Sequence, residues 1–339
     1  MIGRVPAGLR PADKAERAHG ALAGLALGDA LGMPTQAMPR WEVSRRFGNI
    51  TTLLDAPDDQ PISPGQRAGA VTDDTQQALI LAELLIEGGG QTTPARVAAA
   101  LGAWERRMIE RGSHDLLGPS TKAALDALRA GADPSQSGRL GTTNGAAMRI
   151  APVGIVQRPG PELWRRVLDA TSATHGTTLG LAGAYAVAAA VSSGIDGQEP
   201  TEAVIAGIAA AHFGAQHGTW VAGADIAARF DALAPFARNL REDAFAAFLY
   251  EVVGTSVQSQ ESVVAAFLLV ERYADDPFAA LTTAASLGGD TDTIAAIAGA
   301  ILGASRGVAS FPAAELAMVS DVNQLDLAAI AVRLLALRS

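Results

Sequence analysis

Gly20, Gly24 and Gly28 recur at every fourth position of Asp13–Leu31, so a helix built from this stretch carries a strip of bare backbone along one side. Leu22 and Leu25 fall on a neighbouring face. Three such glycines cost the helix about 2–3 kcal/mol relative to alanine. Close approach of a second helix is the gain that offsets this cost, and the stretch therefore predicts a tightly packed helical pair. Gly28-Asp29-Ala30-Leu31-Gly32 closes the segment, and Pro34 and Pro39 prevent its continuation.

The rest of the chain favours the same kind of fold. Apolar residues make up 49% of the 339 but aromatics only 5%, and the apolar share is dominated by alanine and leucine, strong helix formers, with few β-branched runs. An all-α protein is expected. Helices are predicted after Thr72 as far as Gly88-Gly89-Gly90, and over Pro94–Arg111, Thr121–Ala130, Pro161–Thr174, Thr178–Ser193, Thr201–His212 and Ala222–Leu233. Asp243–Val253, Ser262–Ala274, Phe278–Ser286, Ile294–Ser305, Ala313–Val319 and Leu325–Leu337 complete the pattern. No Pro- or Ser-rich linker divides the chain, which predicts one domain over residues 12–339 behind a short N-terminal extension, 1–11. Arg40–Ala70 is polar and turn-rich, and reads as either a lid over a site or a surface excursion.

Composition also excludes some functions. A net charge of −9 with no block of Lys or Arg argues against nucleic-acid binding. The apolar runs Ala203–Ala211 and Ile294–Ala304 are shorter than the roughly 20 residues a bilayer span needs, so no membrane partner is expected. Pro6, Arg10, Pro11 and Asp13 interrupt any signal-peptide core, and the absence of cysteine suits a reducing compartment; a cytoplasmic location is the expectation. Acidic surface and Ala-rich helices fit a monomer or a homodimer equally well.

Two acidic clusters near opposite ends of the helical array carry the chemistry: Thr72-Asp73-Asp74-Thr75 and Gly288-Gly289-Asp290-Thr291-Asp292-Thr293. Each opens an apolar helical stretch. Helix capping explains part of this, since Asp and Thr are favoured in a first turn. It does not explain all of it. If the fold brings the clusters together, each pair of carboxylates about 4 Å apart repels by roughly 4 kcal/mol at an effective dielectric near 20, whereas a helix N-terminus returns only about 0.3–1 kcal/mol. Cations are needed, and hard oxygen donors suit Mg²⁺, Mn²⁺ or Ca²⁺ better than zinc. Asp290 and Asp292 cannot share an ion from within one regular helix but can from a turn, for which Gly288-Gly289 supplies backbone freedom before Thr293 begins the helix. The alternating ligands and closing Glu of an EF-hand are absent.

Gly141-Thr142-Thr143-Asn144-Gly145-Ala146-Ala147-Met148-Arg149 is a small-residue loop leading into a helix that ends at Pro152, with N–H groups and hydroxyls able to cradle a phosphate. Taken alone, such glycine turns are commonly structural. His175 sits between two apolar helices, a common place for a cap or packing residue, and no histidine pair has zinc-ligand spacing.

In this order, Gly28–Gly32, Thr72–Thr75, Asn144–Arg149, Thr174-His175 and Gly288–Thr293 resemble the ADP-ribosylglycohydrolase family, in its dinitrogenase reductase-activating glycohydrolase-like bacterial branch, over roughly residues 17–306. The resemblance implies a compact multi-helix domain with a binuclear metal cleft. It further implies two Mg²⁺ or Mn²⁺ ions, one held by Thr72, Asp73 and Asp74, the other by Asp290 and Thr293, with Asp292 bridging. The loop Gly141, Thr142, Thr143, Asn144, Gly145 and Met148, together with His175, would contact the phosphates of an ADP-ribosyl group. An aspartate among Asp73, Asp74 and Asp290 would serve as base in hydrolysing an N- or O-glycosidic bond at C1′. The substrate would be an ADP-ribosylated protein or a small ribosylated molecule; a non-catalytic ADP-ribose-binding or structural protein is the remaining alternative. Gln36 stands where many members of the family carry a glutamate, and being neutral it cannot take that residue's role as a base.

Overall fold

The computed structural model describes residues 12–113, 117–134 and 136–339; the N-terminal extension 1–11 and His114 lie outside the described residues. The first third of the chain forms α1 (Lys14–Gly32), α2 (Arg40–Phe47), α3 (Asp73–Glu87), α4 (Pro94–Glu110) and α5 (Pro119–Arg129). The middle forms α6 (Gly145–Arg149), α7 (Ala151–Val156), α8 (Pro161–His175), α9 (Thr178–Ile195), α10 (Pro200–Gly214) and α11 (Ile226–Ala237). The last part forms α12 (Glu242–Phe248), α13 (Ser259–Arg272), α14 (Pro277–Ala285), α15 (Thr291–Arg306), α16 (Ala313–Asn323) and α17 (Leu327–Leu335). Only isolated β-bridges, and no strands, occur among the described residues. One hydrophobic core joins nearly all of these helices.

The glycine stripe meets its partner. A Cβ at Gly20 would lie 2.4 Å from the Gly303 carbonyl oxygen, at Gly24 2.2 Å from that of Gly299, and at Gly28 2.2 Å from that of Ala295. The register runs antiparallel in steps of four, so α1 and α15 touch backbone to backbone along their length. Gly32 continues it, with a Cβ there falling 2.3 Å from the Asp292 amide nitrogen. The C-terminal end of α1 is thereby pressed against the first turn of α15.

Helix α9 is long and apolar enough to cross a bilayer, which the shorter runs singled out from the sequence are not, but 94% of it is buried. It packs against α7, α8, α10 and α15 as the central core helix. Prolines at the starts of α4, α5, α8, α10 and α14 explain those boundaries, since the missing N–H falls where no intrahelical acceptor exists.

Some expectations need correction. Residues 40–70 contain α2, and the rest of the segment runs over the surface with exposed residues interleaved with buried ones, as a surface excursion would. Ile50, Leu53 and Ala56 are buried, and Arg46 ties Asp59 (2.7 Å) to Glu42 (2.5 Å). Pro152 stands in the first turn of α7 instead of ending a helix. Helix α15 begins at Thr291, two residues before Thr293. The segment 243–253 splits, α12 giving way to a π-turn over Leu249–Val253.

Candidate active site

Three helix ends build one wall of a cleft. Asp29, fully buried near the end of α1, accepts from both the N–H and the hydroxyl of Thr72 (3.0 and 2.8 Å) and from the N–H of Thr75 (3.0 Å) and its hydroxyl. The first turn of α3 is thus clamped onto α1, with Thr72 as the N-cap. Across it stands the first turn of α15, where the Thr293 hydroxyl donates to Asp74 Oδ2 at 3.2 Å. The two acidic clusters therefore converge.

Backbone pairing fixes the turn that precedes α15. Gly288 and Gly289 have φ of +83° and +82°, a region open to glycine at no steric cost. Gly289 exchanges hydrogen bonds with the segment after Gln36, accepting from Ala37 N (2.7 Å) and donating to Met38 O (2.8 Å), while Asp290 N donates to Thr255 O (2.7 Å). Asp290 precedes the helix with non-helical torsions and Asp292 lies in its first turn. The two carboxylates can therefore face one space despite their spacing of two.

Burial makes this wall electrostatically costly. Asp74 Oδ1 is buried without a hydrogen-bond partner. Desolvation, followed by the charges of Asp292, Asp73, Asp29 and Asp290, holds the Asp74 carboxyl well above the ordinary range. Burial likewise pushes Asp290 up to about 6 against the hydrogen bonds from Asn144 and Thr293, and Asp29 up to about 6 in spite of its four donors.

The opposing wall is the loop leading into α6. It is pinned to the chain before α13 by Asn144 N to Val257 O (2.9 Å) and Ser259 N to Thr142 O (3.2 Å). The Asn144 amide nitrogen donates to Asp290 Oδ2 and to Ser262 Oγ (3.0 Å), joining the two walls. Between them lies a cavity of about 490 Å³ lined by Gln36, Asp73, Asp74, Thr143, Asn144, Gly145, Met148, Asp290, Asp292 and Thr293. Ile62, Leu117, Thr121 and Val257 add further lining. Gln36 donates to Ser63 Oγ (3.0 Å), and Gln60 donates to the Gln36 carbonyl (2.8 Å), so the 40–70 segment shapes one side of the opening.

Thr72, Gly141, Thr142 and His175 do not line this cavity. His175 is fully buried behind the loop, its Nε2 3.1 Å from Thr143 Oγ1 and its Nδ1 2.9 Å from Thr174 Oγ1. Burial and then the Arg149 charge hold its pKa well below the usual value, so the ring is neutral. His175, expected to contact phosphate, is placed behind Thr143 and off the cavity surface. Sequence reasoning passed over Asp29, Gln77 and Arg149. Asp29 and Arg149 lay inside recognised motifs, whereas nothing in the local pattern marks Gln77.

As a test of metal fit, the donor set consists of aspartates and threonines, and the unpartnered Asp74 oxygen is an acceptor in want of a cation. Among the described residues, no three acidic or histidine side chains are already gathered into a ligand shell. The carboxylates share a cavity wall and do not form a closed cage.

Comparison with known proteins places this architecture. The ADP-ribosylglycohydrolase family profile matches residues 10–339, and the chain belongs to the ADP-ribosylglycohydrolase family. It is a hydrolase of that type. Among its relatives, "Uncharacterized protein YegU" of Escherichia coli (strain K12) is 38% identical, with 92% of this chain and 94% of that protein covered. The "ADP-ribosylarginine hydrolase Tri1" of Pseudomonas putida (strain GB-1) is 28% identical over 90% of this chain and 74% of its own length. A solved structure titled "ADP-ribosylglycohydrolase-related protein complex" superposes with a TM-score of 0.72 at 24% identity, covering 96% of this chain and 99% of that one, and shows the same fold.

Proposed function

We propose that the cleft hydrolyses the N- or O-glycosidic bond at C1′ of an ADP-ribosyl group. The observation that carries this reading is the convergence of Asp73, Asp74, Asp290 and Asp292 on one cavity, with a buried Asp74 oxygen left unsatisfied. Two divalent ions, Mg²⁺ or Mn²⁺, fit this wall. Asp73 and Asp74 would hold one, with Thr72 turned to Asp29 behind them, Asp290 and Thr293 would hold the other, and Asp292 would bridge; when bound, the ions supply positive charge to the ribose diol and acidify water. Thr143, Asn144, Gly145 and Met148 bind and orient the diphosphate side of the ligand. An aspartate among Asp73, Asp74 and Asp290 takes the proton from the attacking water as the bond from C1′ to the aglycone breaks, and the aglycone departs with the bonding electron pair and a proton. Release of ADP-ribose in the presence of Mg²⁺ or Mn²⁺, screened over ADP-ribosylarginine proteins, ADP-ribosylserine proteins and small ribosides, tests the proposal. No cleavage of any of these with either metal would overturn it.

A second reading, a small ribosylated molecule as substrate, draws on Gln36 and Ile62. Both line the cavity, and Gln36, neutral and donating to Ser63 Oγ, stands where many members of the family carry a glutamate, which favours a different group on the ribose.

A further inference from the structure

Behind the cavity, and not itself part of its lining, lies Arg149. It is 1% exposed, with Nη1 donating to Gln77 Oε1 (3.1 Å) and to the Gly145 carbonyl (2.7 Å) and Nη2 donating to Thr174 Oγ1 (2.6 Å). From Gln77 the chain of contacts runs to Asp73, whose Oδ2 accepts from Gln77 Nε2 at 2.7 Å. From Thr174 it runs through His175 to Thr143. A guanidinium has donors only, so the polarity of both branches follows from it. Gln77 must turn its oxygen to Arg149 and therefore its NH₂ to Asp73. Thr174 must accept from Arg149 and has its own proton to give. His175 Nδ1 at 2.9 Å is a nearer acceptor than Thr171 O at 3.3 Å, which leaves the imidazole proton on Nε2, aimed at Thr143 Oγ1. Thr143 then accepts from His175, and among the described residues its hydroxyl has no protein acceptor, so its proton is free for the cavity it lines.

We propose that Arg149 is a positioning residue that sets the direction of both hydrogen-bond chains, presenting an amide donor to Asp73 on the acidic wall and a hydroxyl donor at Thr143 on the loop wall. This rests on the reading of Asp73 as a metal ligand and Thr143 as an anion contact. Removing such a supporting hydrogen bond commonly lowers metal affinity by about 10–100-fold.

The test separates the two branches. In the full chain labelled with ¹⁵N-histidine, long-range ¹H–¹⁵N spectra are expected to show His175 as a neutral Nε2–H tautomer. Gln77→Met is expected to weaken Mn²⁺ binding, read by electron paramagnetic resonance, by about 10-fold or more while leaving that tautomer unchanged. Thr174→Val is expected to abolish the single tautomer and weaken ADP-ribose binding several-fold while leaving Mn²⁺ affinity intact. Arg149→Met should do both, and if it fails to fold, the other two variants still decide. An Nδ1–H tautomer in the wild type, or unchanged Mn²⁺ affinity in Gln77→Met, overturns the proposal. A wild-type chain that binds no Mn²⁺ would instead sink the metal reading and the Asp73 branch with it, the His175 tautomer still judging the other branch.

Discussion

The two walls of the cleft are built in different ways. The acidic wall stands on α1, α3 and α15, where backbone meets backbone across the glycine stripe and one buried carboxylate, Asp29, clamps the helix ends. The loop wall stands on the short helix α6 and is held from behind by side chains, among them Arg149, His175 and Ser259, the last donating to the Thr143 carbonyl at 2.8 Å. Where like charges must be kept close, the fold uses contacts that no rotamer change can relax. Where a ligand is to be recognised, it uses hydrogen bonds that a single substitution can retune.

Substitutions on the two walls should expose this difference. The largest effect is expected from Asp292→Asn, which should lower turnover by on the order of 10²–10³-fold and reduce the number of Mn²⁺ ions bound; full activity after metal stripping and re-addition would contradict the bridging assignment. Next comes a matched pair. Gly24→Ala places a methyl group 2.2 Å from the Gly299 carbonyl oxygen and should cost about 3 kcal/mol or more in denaturant unfolding. Gly145→Ala meets the His175 ring at 3.2 Å and should cost about 1 kcal/mol or less. Equal costs would erase the distinction between the walls.

The acidic wall should also respond to pH. Asp290, raised to about 6 in the folded protein, contributes stability that is present below the ordinary carboxylate range and is lost as pH rises through about 6. Without metal, Asp290→Asn should therefore gain on the wild type by on the order of 2 kcal/mol between pH 4 and pH 7. Melting curves in chelator would show this, and a gap constant with pH would contradict it. The smallest effect belongs to Gln36→Glu, which alters a side chain lining the cavity without touching either clamp. Folding stability should fall by about 1 kcal/mol as the Gln36 donor to Ser63 is lost and a carboxyl joins the cavity, while the pH–rate profile should acquire a new acidic limb.

Much of the acidic wall was legible in the chain. A stripe of glycines demands a close partner, two Asp-Thr clusters demand compensation, and Gly288-Gly289 marks a turn that only positive φ can make; each follows from sterics or Coulomb's law. Less could be read of the loop wall. Arg149 and Gln77 act through partners far away in sequence, and nothing local distinguishes a buried guanidinium from an exposed one. The start of α15 was placed too late because Asp and Thr are good capping residues at several adjacent positions. Helix α2 was missed because Arg40–Phe47 has little apolar periodicity, with only Val43 buried.

The zipper between α1 and α15 has a mechanical corollary. Because each tooth meshes with a carbonyl one turn further along the partner, the pair can neither slide nor roll by less than a full turn without collision, and the acidic wall is in effect welded. Any gating that admits a substrate or expels a product must then be borne by elements outside the zipper, where side-chain contacts such as those of Gln36 with Ser63 and of Gln60 with the Gln36 carbonyl can be rearranged.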